Sequence, residues 1–181
     1  MEILVFSDVR TSLELPQVNQ VDLVVLLGRI PRKMVLKIEQ FYKDVPILGL
    51  FSNYCNEQLY DDTRVIPFHK NVVQVKELRI AGFGGAPSEG NSSYGLYTEA
   101  EAEQFIKQLS ISNVDILFSY SHPAYGDIKS SMAADGCKSY GTIILNGMAK
   151  MIVHGRLQMD FKRKMGNVDI YSIYPYKLIS I

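Results

Sequence analysis

The stretch DLVVLLGRIPRKMVLKIEQFYKDVPILGLF, residues 22–51, decides the fold class of this chain. Its two ends, residues 22–27 and 47–51, are largely apolar runs of strand length, which is typical of strands covered on both faces. Between them, residues 32–43 place apolar side chains at helical spacing, and Pro31 suits the first turn of a helix. A strand, a helix and a second strand in this order predict an α/β fold, a sheet with helices packed on it.

The rest of the chain continues this alternation. Further strands are predicted at residues 2–7, 72–75, 78–81, 115–120 and 150–154, with closing strands in the tail around residues 168–173. One helix is predicted from Thr98, where Thr98 and Glu101 have the spacing of a capping box, and another over residues 138–147. Residues 84–96 are rich in Gly, Ser and Asn and predict a loop. Because no linker or repeat interrupts the pattern, we expect a single domain over residues 1–181.

Composition excludes several classes of protein. The 181 residues are 47% hydrophobic and 21% charged, values that are ordinary for a soluble globular protein. Nineteen basic residues balance nineteen acidic ones, so net charge does not indicate binding to nucleic acid or to a membrane. No apolar run approaches the roughly 18 residues that span a bilayer. The two cysteines, Cys55 and Cys137, make no disulfide framework, and we expect reduced thiols in a cytoplasmic protein.

Short polar or glycine-bearing segments follow five of the predicted strands. They are Ser7-Asp8-Val9-Arg10, Gly28-Arg29-Ile30, Ser52-Asn53-Tyr54-Cys55, Ser121-His122-Pro123-Ala124-Tyr125-Gly126 and Gly155-Arg156-Leu157-Gln158. Layered α/β proteins bind their ligands beyond the carboxyl ends of the strands. We therefore expect the five segments to converge on one cleft.

These segments resemble the motifs of the calcineurin-like metallophosphoesterases. That family carries, in the same order, Asp-x-His, Gly-Asp, Gly-Asn-His-Asp, a His often followed by Pro, and Gly-His-x-His. The corresponding segments here are Asp8-Val9-Arg10, Gly28-Arg29, Ser52-Asn53-Tyr54-Cys55, His122-Pro123 and Gly155-Arg156-Leu157-Gln158. The resemblance covers nearly the whole chain, and it implies a four-layer α/β/β/α sandwich.

The departures from the family pattern concern the metal ligands. Asp8, Asn53 and His122 are retained, but the other positions are substituted. The resemblance implies that Arg10 and Arg156 replace metal-binding histidines and that Arg29 replaces the carboxylate that bridges two metals. It also implies that Tyr54 replaces a His that assists the leaving group and that Gln158 replaces the last ligand His. A guanidinium has no lone pair to give to a metal and stays protonated. We therefore expect no metal pair as cofactor, and the alternative is a single weakly bound divalent metal.

The substitutions keep the cleft attractive to anions. Three arginines and one aspartate carry a net charge of +2, the same as two divalent cations beside two carboxylates. Arginine forks suit phosphate through paired charge-assisted hydrogen bonds. The predicted ligand-binding residues are Asp8, Arg10, Arg29, Asn53, Tyr54, His122, Arg156 and Gln158.

Each of these residues also has a structural interpretation. Asp8 could pair with a neighbouring Arg, and His122 could be a structural His whose ring nitrogens are hydrogen-bonded. Asn53 could be a turn residue, and single arginines usually lie on the surface. We expect no working catalytic set, because Asp8, Asn53, Tyr54 and His122 are a degenerate remnant of one.

The sequence therefore predicts a pseudoenzyme that acts by binding. Its partner is either a phosphorylated small molecule or nucleotide in the arginine-lined cleft, or a protein for which the chain is a scaffold. The alternative is a residual phosphoesterase or phosphodiesterase that uses one metal or none, with arginines stabilising charge in the transition state.

Overall fold

A computed structural model describes residues 1–55, 57–88, 95–109, 111–125 and 136–181 of the chain. The first sheet contains five strands: β1 (Glu2–Ser7), β2 (Leu23–Leu27), β3 (Ile47–Leu50), β4 (Ile66–Pro67) and β13 (Tyr176–Ser180). Their order is β13-β1-β2-β3-β4, in which β1 to β4 are parallel and β13 runs antiparallel to β1.

The second sheet contains six strands. They are β5 (Asn71–Val75), β6 (Leu78–Phe83), β9 (Ile116–Ser119), β10 (Met151–His154), β11 (Phe161–Met165) and β12 (Val168–Ser172), in the order β11-β12-β10-β9-β6-β5. The four central strands are parallel, and an antiparallel hairpin closes each edge. The parallel strands of both sheets therefore each have a carboxyl end at which loops can gather.

The described residues also form three α-helices and a short 3-10 helix. They are α1 (Arg32–Phe41), α2 (Glu99–Leu109), α3 (Tyr140–Asn146) and the 3-10 helix Glu57–Tyr60. Helix α2 begins with the expected capping box: the Glu101 N–H donates to Thr98 Oγ1 at 3.3 Å, and the Thr98 N–H donates to Glu101 Oε2 at 2.9 Å. In the part of the chain that the structure describes, no helix is long and apolar enough to cross a membrane.

The core divides into three apolar layers. In β1, Ile3 and Val5 face the second sheet, where they join a cluster that includes Phe118. The alternate residues of the same strand, Leu4 and Phe6, pack on the opposite side in a cluster with α1. The outer face of the second sheet packs against α2 and α3. This is the predicted four-layer α/β/β/α sandwich, and burial of both strand faces explains the continuous apolar runs.

The segment predicted as a loop is partly paired. Ala86–Pro87 (β7) and Leu96–Tyr97 (β8) form a two-stranded parallel sheet, so the prediction of an unbroken loop over residues 84–96 was wrong at its ends. Residues 89–94 of that segment lie outside the described residues. The pairing escaped prediction because two-residue strands have too few side chains to show a period of two.

Candidate functional site

Segments from the first sheet meet at its carboxyl edge. The Asp8 N–H, just after β1, donates to the Leu27 carbonyl at 3.1 Å. The Gly28 N–H, just after β2, donates to the Leu50 carbonyl at 2.8 Å. These two bonds bring the segments that follow β1, β2 and β3 side by side.

The second sheet reaches the same edge. The Gly85 N–H, beyond β6, donates to the Phe51 carbonyl at 2.9 Å, and the Tyr120 hydroxyl, beyond β9, donates to Asp8 Oδ2 at 3.3 Å. Gly155, beyond β10, approaches β1 so closely that a Cβ there would lie 2.2 Å from Ser7 Oγ. Residues that follow strands of both sheets therefore come together at this edge.

Asp8 is held by donors on both carboxylate oxygens. Oδ1 accepts the Arg29 backbone N–H at 2.7 Å, and Oδ2 accepts the Tyr120 hydroxyl. Burial raises the pKa of Asp8 above its ordinary value, while these two hydrogen bonds and the charges of Arg29 and Arg156 act in the opposite direction. Each carboxylate oxygen of Asp8 thus already accepts one hydrogen bond from the protein, Oδ1 from the backbone of Arg29 and Oδ2 from Tyr120.

Gly28 makes room for this arrangement. Its φ is +81°, in the region that favours glycine, and a Cβ built on it would lie 2.2 Å from Tyr120 Cε2 and 2.6 Å from Asp8 Oδ1. The ring of Tyr120 therefore packs directly on the glycine backbone. Burial raises the pKa of the Tyr120 phenol, so its hydroxyl stays protonated and can serve as the donor to Asp8.

A cavity of about 530 Å³ opens beside Asp8. The residues lining it are Asp8, Val9, Arg10, Thr11, Ser12, Arg29, Pro31, Tyr54, Tyr120 and Gln158. Arg10 and Arg29 are both exposed, and within the described residues neither guanidinium forms an ion pair or a hydrogen bond. Their donors are therefore available to a ligand.

Arg156 occupies a different position from the other two arginines. It is half-buried, it does not line the cavity, and its Nη1 donates to Ser121 Oγ at 3.3 Å. Its positive charge lowers the pKa of both Asp8 and His122, so the guanidinium lies near both side chains. Arg156 therefore supplies positive charge to Asp8 and His122 without lining the cavity.

His122 lies in a buried aromatic cluster and does not line the cavity. It is 4% exposed, its ring stacks on Tyr125 at 5.8 Å, and it lies 6.0 Å from His154. Burial and the charge of Arg156 lower the pKa of His122 to about 4. Its Nδ1 is buried and makes no hydrogen bond within the described part of the chain.

The neighbouring His154 is structural. Its Nδ1–H donates to the Gly155 carbonyl at 2.9 Å, so its Nε2 accepts the Tyr125 hydroxyl at 2.5 Å. Burial lowers the pKa of His154 to about 3. The imidazole is therefore neutral and fully hydrogen-bonded.

Asn53 and Tyr54, in the segment after β3, differ in their exposure to solvent. Asn53 is half-buried and does not line the cavity. Tyr54 lies at the cavity with 76% of its surface exposed. Ser52 fixes this turn, since its hydroxyl accepts the Tyr54 N–H at 3.2 Å and its carbonyl accepts the Cys55 N–H at 3.4 Å.

The structure thus places Asp8, Arg10, Arg29, Tyr54 and Gln158 at one cavity, whereas Asn53, His122 and Arg156 do not line it. The expectation that all five segments form one cleft was wrong for the segment that begins at Ser121, because none of its described residues lines the cavity. Among the residues that the structure describes, no group of three or more His, Cys, Asp or Glu side chains could hold a metal ion.

Sequence reasoning missed Tyr120, whose hydroxyl donates to Asp8, because Tyr120 was placed inside the predicted strand over residues 115–120. Ser121 belonged to a predicted cleft segment, but its contact with Arg156 was not expected. The available signal for Tyr120 was its location directly after β9, since any residue at the carboxyl end of a parallel strand is a candidate.

Comparison with known proteins supports the fold. The protein TT1561 of Thermus thermophilus has a crystal structure that superposes on this chain with a TM-score of 0.61 at 11% sequence identity. The match covers 84% of this chain and 76% of that chain, so the two share a fold. No protein-family model matches the sequence, and no curated protein matches it.

Proposed function

We propose that this chain is a non-catalytic member of the calcineurin-like metallophosphoesterase superfamily that binds a phosphate-bearing anion between Arg10 and Arg29. One observation carries the proposal. The cavity presents two arginines whose guanidinium groups form no hydrogen bond or ion pair within the described residues, while the carboxylate beside them already accepts two hydrogen bonds from the protein.

The charges of the cavity favour an anion. Two guanidinium groups and one carboxylate leave it with a net positive charge even when Asp8 is ionised. A guanidinium presents planar, paired N–H donors that match the oxygens of phosphate, and such charge-assisted bonds are about twice as strong as neutral ones. Thr11, Ser12 and Gln158 line the same cavity and supply further polar groups.

The same residues do not suit a pair of divalent metals. Arg10, Arg29 and Arg156 have no lone pair to coordinate a cation, and their charges repel it. The two oxygens of Asp8 accept hydrogen bonds from Arg29 and Tyr120. Without a metal to lower the pKa of a bound water, the cavity has no route to a hydroxide nucleophile of the two-metal kind.

Titration calorimetry with inorganic phosphate at low salt tests this proposal. We expect saturable binding that weakens as salt is added, because partly exposed charges are screened. Arg29→Ala and Arg10→Ala should each weaken it about tenfold or more, since a hydrogen bond to a charged group contributes about 1.5–3 kcal/mol.

Arg79→Ala is the matched control. Arg79 is an exposed arginine near the start of β6, at the opposite end of the strands from the cavity. Its removal should leave phosphate binding unchanged. Absence of phosphate binding by the unmodified chain, or equal loss in the Arg79 variant, would contradict the proposal.

A further inference from the structure

We propose that the bound anion is a nucleoside monophosphate, whose base stacks on Tyr54 while its phosphate lies between Arg10 and Arg29. This inference rests on the proposed function and specifies the ligand of the same cavity. The observation behind it is that a highly exposed aromatic ring and two available arginines line one space.

The cavity is larger than a phosphate needs. Its volume of about 530 Å³ lies within the range of roughly 300–1,000 Å³ found for small-molecule sites. Phosphate alone would leave most of this space to water. A ligand that carries a sugar and a ring in addition to phosphate uses the space, and Gln158, Thr11 and Ser12 on the lining are suited to hydroxyl groups.

Hydrogen bonds fix the backbone turn that carries Tyr54. The hydroxyl and the carbonyl of Ser52 accept the backbone N–H groups of Tyr54 and Cys55, and the Ser52 N–H donates to Cys55 Sγ at 3.3 Å. Gly95 packs on the backbone of this turn, since a Cβ there would lie 2.9 Å from Asn53 Cα. A tyrosine side chain has only two χ angles, so it loses little conformational entropy when a ligand stacks on it.

The exposure of Tyr54 distinguishes it from the other tyrosines near this edge. Tyr60, Tyr97, Tyr120 and Tyr140 are all buried. Tyr54 instead leaves 76% of its surface in water at the mouth of a cavity that also contains two cations. Stacking of a planar base would cover this apolar surface, and every nucleobase has a face that can do so.

A comparison of the affinities of three ligands tests the inference. Calorimetry should compare inorganic phosphate, ribose 5-phosphate and adenosine monophosphate on the whole chain. We expect adenosine monophosphate to bind about tenfold more tightly than ribose 5-phosphate, because stacking on an aromatic side chain contributes on the order of a tenfold gain or more.

Two variants assign that gain to the ring. Tyr54→Ala should remove the advantage of adenosine monophosphate over ribose 5-phosphate, and Tyr54→Phe should keep that advantage. Phe41→Ala, which removes an exposed aromatic ring at the far end of α1, is the control and should change neither affinity.

The outcomes separate the two proposals. If phosphate, ribose 5-phosphate and adenosine monophosphate bind equally well, the inference about the base is overturned and the phosphate site stands. If phosphate binds but Tyr54→Ala retains the full preference for adenosine monophosphate, the role of Tyr54 is overturned. If none of the three ligands binds, both proposals fall.

Discussion

Gly28→Ala probes the contact on which the geometry of the site depends. Gly28 lies beneath the ring of Tyr120 and beside Asp8, and a methyl group there would approach Tyr120 Cε2 at 2.2 Å and Asp8 Oδ1 at 2.6 Å. Neither neighbour can move freely, because the Tyr120 hydroxyl donates to Asp8 and Asp8 also accepts the Arg29 N–H. The substitution should therefore strain the backbone and the packing together.

The cost of the backbone conformation and the cost of overpacking add approximately to the loss of stability in Gly28→Ala. An L-residue in the left-handed region, as φ of +81° requires, costs roughly 1–2 kcal/mol. Overpacking of a well-packed site typically costs about 1–3 kcal/mol. The free energy of unfolding should therefore fall by about 2–5 kcal/mol, which lowers the melting temperature of a chain of this size by roughly 4–20 °C.

Urea denaturation of Gly28→Ala, Tyr120→Ala and the double variant measures the effect. In the double variant the ring contact is absent, so the two losses should fall short of additivity by about 1–3 kcal/mol. Gly141→Ala is the control, because no atom lies within 4 Å of its Cβ position in α3, and it should stabilise the chain slightly. A Gly28→Ala variant as stable as the unmodified chain, or strict additivity, would show that Tyr120 does not pack on Gly28 in this way.

Two further predictions concern charge at the site. Burial raises the pKa of Asp8, so its stabilising effect is greatest below the ordinary pKa range of Asp and is lost as pH rises through the raised pKa. Asp8→Asn should therefore be more stable than the unmodified chain at pH 7 and lose that advantage in acid, as measured by urea denaturation at both pH values; greater stability of the unmodified chain at pH 7 would contradict this. Arg156→Met removes a cation that lowers the pKa of both Asp8 and His122, so both pKa values should rise in NMR titrations. Unchanged pKa values would show that the charge of Arg156 does not act on these two side chains.

The architecture could be predicted because its signals are local. Strands with both faces buried appear as continuous apolar runs, as in β1, and the capping box of Thr98 and Glu101 marks the start of α2. The polar segments that follow five of the predicted strands then indicated a cleft at the carboxyl ends of those strands. Short paired segments such as β7 carry no such signal, and only the structure reveals them.

The division of roles at the site could not be predicted. Arg10, Arg29 and Arg156 look equivalent in the sequence, yet the first two line the cavity, whereas Arg156 does not and instead bonds to Ser121. The bond between Tyr120 and Asp8 joins residues that are 112 positions apart in the chain. Such facts depend on the direction of side chains and on the packing of one sheet against the other, which no spacing in the sequence encodes.

Metal and phosphate binding, measured on the same sample, decide whether the cavity holds an anion in place of a metal pair. The chain should be equilibrated with manganese, iron or zinc, freed of excess metal by dialysis, and analysed for metal content, phosphate affinity and hydrolysis of a generic phosphodiester. We expect well under one equivalent of metal, no metal-dependent hydrolysis, and phosphate binding that a chelator does not change. About two equivalents of tightly held metal, with hydrolysis that a chelator abolishes, would contradict the account.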